Sequence, residues 1–144
     1  MSALFVAARL PSRALIRVSG PDWRSFLQGL LTQDVETLQP GEMRYGALLT
    51  PQGKLLYDLF LAAEGEDGLV DVAAEHRDAL IARLTIYRLR AKVTIAPDEA
   101  AVTALWTTDP DAEAPAGWLR DPRLSALGWR SWTATPPAGA ELAD

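Results

Sequence analysis

TPQGKLLYDLF, residues 50–60, joins a turn to a strand. Pro51-Gln52-Gly53 is turn chemistry, and the residues after it alternate. Leu55, Tyr57, Leu59 and Leu61 form one continuous apolar face. Residues 43–50 before the turn read as a second strand, so 43–50 and 54–63 are expected to pair as a β-hairpin. One residue needs explaining. Asp58 lies near the middle of the strand, and strands disfavour aspartate.

The flanking sequence extends this hairpin into an α+β pattern. Residues 14–19 alternate as a strand and are stopped by Gly20-Pro21. Trp23, Phe26, Leu27, Leu30 and Leu31 then fall at i, i+3, i+4, i+7 and i+8, which predicts a helix over 21–31. After the hairpin, Gly65-Glu66-Asp67-Gly68 is a tight turn, and 69–74 is another strand. Leu80, Ile81, Leu84 and Tyr87 predict a second helix over 76–89. Residues 92–97 and 101–106 read as further strands. To residue 97 the order is β-α-β-β-β-α-β. That is a ferredoxin-like, mainly antiparallel sheet with helices on one face and one extra strand. Trp23, Phe26, Leu30, Leu80 and Leu84 are its expected core. Residues 107–117 are acidic, Pro-rich and loop-like. Residues 118–132 hold three tryptophans and read as ordered, whereas 133–144 end without closing an element. The tail suggests a longer protein.

Composition narrows the chemistry. The chain has 144 residues, 49% of them hydrophobic and 23% charged, which suits a globular domain with a core. Its net charge of −5 argues against nucleic acid and anionic membranes as partners. No apolar run reaches the roughly 18 residues of a membrane helix. With no cysteine, disulfides, thiolate metal sites and thiol nucleophiles are excluded from these residues. His76 is the only histidine, so a histidine metal site or catalytic triad lacks partners. No phosphate-binding glycine loop or nucleophile elbow is present. No catalytic residue and no metal ligand is therefore assigned.

Two clusters remain as candidates. Leu56 and Phe60 flank Asp58 at two-residue spacing, as a pocket wall with one fixed polar contact would. The alternative is a strand aspartate facing water or an arginine across the sheet. Arg88, Arg90 and Lys92 alternate, so on an extended segment they share one side and suit an anion or an acidic partner. The alternative is a solvated basic surface.

Four blocks carry a resemblance: FLQGLLTQDV (26–35), TPQGKLLYDLFL (50–61), YRLRAKVTI (87–95) and DPRLSALGWR (121–130). In this order they resemble the YgfZ-type folate-binding proteins that maintain iron–sulfur enzymes, relatives of the glycine-cleavage T-protein (aminomethyltransferase). The resemblance implies a folate-binding domain of two ferredoxin-like halves. Residues 1–100 would be the first half and 101–144 the start of the second. It implies tetrahydrofolate or a derivative as ligand, completed by the second half, with Asp58 at the T-protein's folate-facing aspartate and Leu56 and Phe60 beside it. It also implies an A-type iron–sulfur carrier as partner, met through a Lys-Gly-Cys-Tyr-x-Gly-Gln-Glu motif that these residues lack. The place of action would be the cytoplasm, or the mitochondrial matrix in a eukaryote. A folate-dependent aminomethyltransferase and a non-catalytic interaction domain are the alternatives.

Overall fold

The computed structural model describes residues 5–109, 111–123, 127–137 and 140–143. In chain order the elements begin with β1 (Phe5–Arg9), β2 (Arg13–Ser19), α1 (Trp23–Gln28), β3 (Met43–Leu49), β4 (Leu55–Glu64) and β5 (Asp67–Ala73). A short 3-10 turn, Ala74–His76, leads into α2 (Arg77–Tyr87). Then follow β6 (Thr94–Asp98), β7 (Thr103–Thr107), β8 (Leu119–Arg120), β9 (Trp129–Ser131) and β10 (Glu141–Ala143).

The strands form two sheets. The first has the order β3-β4-β5-β2-β6, and every pairing in it is antiparallel. The second has the order β10-β1-β7-β9-β8; β10 runs parallel to β1, and the other pairings are antiparallel. The antiparallel first sheet and its helices match the sequence expectation.

Period two divides the first sheet into two faces. Ile16, Val18, Leu48, Leu59, Leu61, Val70 and Val72 face the helices and pack with Trp23, Phe26, Leu27, Leu80 and Leu84. Leu15, Met43, Phe60, Ala62 and Leu69 face the other way and pack with Val102 and Trp132 from the second sheet's chain segment. Beyond the second sheet, Ala7, Leu105, Trp118 and Trp129 make a third cluster. β4 is thus buried on both sides from Leu59 to Ala63. That double burial is why the second face of 54–61 is mixed rather than polar.

Several boundaries differ from the sequence reading, each for a local reason. α1 stops at Gln28, and Leu31 makes an isolated bridge to Leu48 on the outer edge of β3. Leu30 is consequently only half-buried, and Leu27 takes the fully buried place. Trp23, Phe26, Leu80 and Leu84 are buried as expected. Trp23 packs against Gly68, where an added Cβ would sit 2.5 Å from the indole ring. The segment before residue 13 supplies β1, which lies between β10 and β7 in the second sheet. The expectation that 133–144 close no element is corrected: Glu141–Ala143 pair with Val6–Ala8.

Candidate functional site

β4 carries the first candidate. The hairpin turn is closed by Gly53 N–H to Thr50 O at 2.9 Å and Thr50 N–H to Lys54 O at 2.7 Å. Pairing then runs Leu49 to Leu55 and Leu48 to Tyr57, so Leu56 is the extra residue of a β-bulge. The bulge corrects the expectation for Leu56. Instead of sharing a face with Asp58, it packs with Tyr57 against the helix-side core. Asp58 and Phe60 keep their common face, opposite Leu59.

Across that face the register lines up Tyr45 on β3, Phe60 on β4, Asp71 on β5, Leu15 on β2 and Asp98 on β6. Phe60 is 2% exposed. Its ring is covered by three guanidinium groups, with Cζ to ring centroid distances of 4.2 Å for Arg130, 4.7 Å for Arg123 and 5.7 Å for Arg13. Phe60 is therefore a floor beneath arginines, which corrects its reading as an open apolar lining.

The arginines are held by carboxylates. Asp71 is 0% exposed and accepts from Arg13 Nε at 2.7 Å, Arg130 Nη1 at 2.8 Å and Trp132 Nε1 at 3.3 Å. Arg130 and Trp132 come from the second sheet's strand β9 and the residue after it, so Asp71 ties the two sheets together. Asp121 grips Arg123 as a fork, accepting from Nε at 3.0 Å and Nη2 at 2.7 Å. Burial alone would raise the Asp121 pKa, but the bonds and charge of Arg123 outweigh it and leave the pKa lowered.

Asp58 is exposed at the margin of this layer. Tyr45 Oη donates to its Oδ2 at 2.5 Å. That bond is the main reason the Asp58 pKa lies below its ordinary value, with Arg13 and Arg123 adding a smaller favourable charge. The same bond raises the Tyr45 pKa, so at neutral pH the pair is a carboxylate and a neutral phenol. The carboxylate is oriented and charged, and Oδ1 accepts from no described side chain. It can receive hydrogen bonds from a ligand's N–H groups. Of Asp58, Leu56 and Phe60, only Asp58 is exposed.

Arg88, Arg90 and Lys92 are exposed, but not on a strand. α2 ends at Tyr87, the chain turns at Leu89 and Arg90, and β6 begins only at Thr94. The expectation of an alternating extended segment is corrected accordingly.

Sequence reasoning missed Asp71, Arg13, Arg123, Arg130, Tyr45 and Asp121. One signal was available: Asp71 is also an aspartate inside an apolar strand, in LVDVAA. Arg13 and Arg130 gave none, because their partner Asp71 is 58 and 59 residues away, whereas Arg123 is only two residues from its partner Asp121. Among the described residues no cluster of three or more His, Asp or Glu side chains could hold a metal ion.

Comparisons with known proteins agree with this architecture. The model of the GCVT N-terminal domain matches residues 12–134. The human mitochondrial iron–sulfur cluster assembly factor IBA57 is 34% identical over 155 residues, covering 91% of this chain and 44% of that protein. The Pyricularia oryzae IBA57 homolog, also named as mitochondrial, is 36% identical and covers 86% of this chain and 34% of itself. This chain thus spans less than half the length of these relatives. Among solved structures, the aminomethyltransferase T of the Bartonella henselae glycine cleavage system aligns with a TM-score of 0.65 at 27% identity, over 72% of this chain and 29% of that one. With the family model matched over the whole first sheet and strands β7 to β9 of the second, the chain belongs to the GCVT N-terminal domain family.

Proposed function

We propose that this chain serves iron–sulfur cluster assembly and contributes Asp58, as the carboxylate acceptor, to a reduced-folate site at the margin between its two sheets that the second half of the domain completes. The observation that carries the reading is the Tyr45–Asp58 pair, a fixed and ionised carboxylate beside the cationic layer of Arg13, Arg123 and Arg130. A reduced pterin offers ring N–H and amino donors that suit such an acceptor. Supporting it, the curated relatives are named as iron–sulfur cluster assembly factors, and the family includes the T-protein. The partner in this reading is an A-type iron–sulfur carrier, which receives or donates the cluster as cargo. The relatives are named as mitochondrial, which supports the mitochondrial matrix as the setting in a eukaryote; in an organism without mitochondria it is the cytoplasm.

Calorimetric titration with tetrahydrofolate tests the site. Asp58→Asn keeps the shape but loses the charge, and hydrogen bonds to a charged acceptor contribute about 1.5–3 kcal/mol each. Binding should weaken by about tenfold or more, since ~1.4 kcal/mol is tenfold. Equal affinity of wild type and Asp58→Asn would remove Asp58 from the site. A second reading, an aminomethyltransferase, is favoured by the likeness to the Bartonella henselae enzyme. Glycine cleavage activity in the presence of the remaining system components would establish it in place of the first.

A further inference from the structure

The structure assigns a protein-docking surface to the outer side of α2 and the turn that follows it. Its partner is a protein that presents an apolar helical ridge edged by carboxylates. This inference is independent of folate binding.

α2 is apolar on two opposite sides. Leu80 and Leu84 face the core and are buried. Ala79, Ala82 and Ile86 fall at i, i+3 and i+7 on the far side, and all three are exposed, Ile86 by 69%. A surface helix that only covers a sheet carries polar residues there. The small residues at 79 and 82 leave a shallow track into which ridges of another helix can settle. The track runs on to Leu89, which is 89% exposed.

Leu89 is held outward rather than loosely placed. It occupies the position after the helix cap with φ of 44°, and it is the only non-glycine residue with positive φ among those described. Glycine or asparagine is the ordinary residue at that position, because a Cβ is disfavoured there. The turn is pinned on both sides. Ala91 N–H donates to Arg88 O at 2.8 Å, and Lys92 N–H donates to Asp22 Oδ2 at 2.8 Å. The Leu89 side chain joins none of the hydrophobic clusters of the described residues.

Charge sets the partner's chemistry. Segment 79–97 contains Arg83, Arg88, Arg90 and Lys92 and no acidic residue, in a chain whose net charge is −5. Other arginines of the fold, such as Arg13, Arg17, Arg44, Arg77, Arg123 and Arg130, are ion-paired. Among the described residues these four cations have no ion-pair partner. An acidic rim on the partner would complement them and speed association. A lipid surface would meet the same cations, but the remainder of this acidic chain would oppose it, and Ile86 and Leu89 alone offer little apolar area for a membrane anchor.

Two synthetic helical peptides with the same leucine seam, one edged with glutamate and one with lysine, test this by amide-resolved NMR titration. The glutamate-edged peptide should bind and shift the amides of 79–92, and the lysine-edged peptide should not. Arg88→Glu with Arg90→Glu should weaken binding by about tenfold or more. Leu89→Gly should also weaken it while the melting temperature holds or rises, a combination a structural role for Leu89 would not produce. Failure of the glutamate-edged peptide to bind, equal binding of both peptides, or shifts confined to other elements would overturn the proposal. So would phosphatidylserine vesicles binding through 86–92, or self-association in sedimentation that Ile86→Ser abolishes.

Discussion

Asp58 and Asp71 lie on adjacent strands and face the same side of the first sheet, yet their environments differ completely. Asp71 is sealed between the sheets and compensated by two arginines and an indole N–H. Removing its charge leaves buried guanidinium groups without a counter-ion, which costs about 3–5 kcal/mol. Asp71→Asn should therefore lower the denaturation midpoint severely; a midpoint near wild type would mean the arginines find other partners. Asp58→Asn should lower the midpoint far less, because the carboxylate is exposed and its partner Tyr45 remains. The aspartate that stood out in the sequence is the available one, and the aspartate that passed as part of a strand is the structural one. Their residue types are identical, so only the second sheet's coverage separates them.

At the scale of elements, α1 and α2 hold the first sheet through different side chains. Leu84 is almost fully buried on α2, and Leu84→Ala should cost about 2–5 kcal/mol. Leu30 follows the end of α1 and is half-buried, so Leu30→Ala should cost clearly less. Chemical denaturation of both variants checks the order, and the reverse order would contradict the helix ending at Gln28. β5 passes beneath α1 at Gly68, where the Trp23 ring occupies the space of a side chain. Gly68→Ala must displace that ring and should destabilise by about 1–3 kcal/mol, with a change in tryptophan fluorescence. The helical stripes were legible because their apolar spacing is local. The end of α1 was not, since Leu31 is drawn to the edge of β3 by a strand that comes later in the chain.

For the whole molecule, acid should loosen the packing of helices, first sheet and second sheet. The pKa values of Asp58, Asp98 and Asp121 are lowered from the ordinary 3.8. Asp58 is held down by Tyr45, Asp98 first by the Ala100 N–H, and Asp121 by Arg123 against its burial. A lowered folded-state pKa means that the unfolded chain binds protons first. Stability from these groups is complete above the ordinary value and is lost as pH falls through the lowered ones. The melting temperature should be level from pH 7 to about 5 and then fall steeply below about 4. A melting temperature that stayed level from pH 5 down to pH 3 would remove these carboxylates as the cause.

By itself the sequence determined the antiparallel first sheet, its hairpin and its two covering helices. Each follows from spacing within a few residues, as in 54–63 and 76–89, or from turn residues such as Gly53. It also determined the outward direction of Asp58, because strand alternation is local. Only the tertiary structure decided what lies over that face. The bulge that turns Leu56 away, the arginines that cover Phe60, and the burial of Asp71 all depend on contacts between segments distant in the chain. Such contacts leave no periodic signal, because an arginine that will reach a carboxylate 59 residues away looks the same as one that will face water.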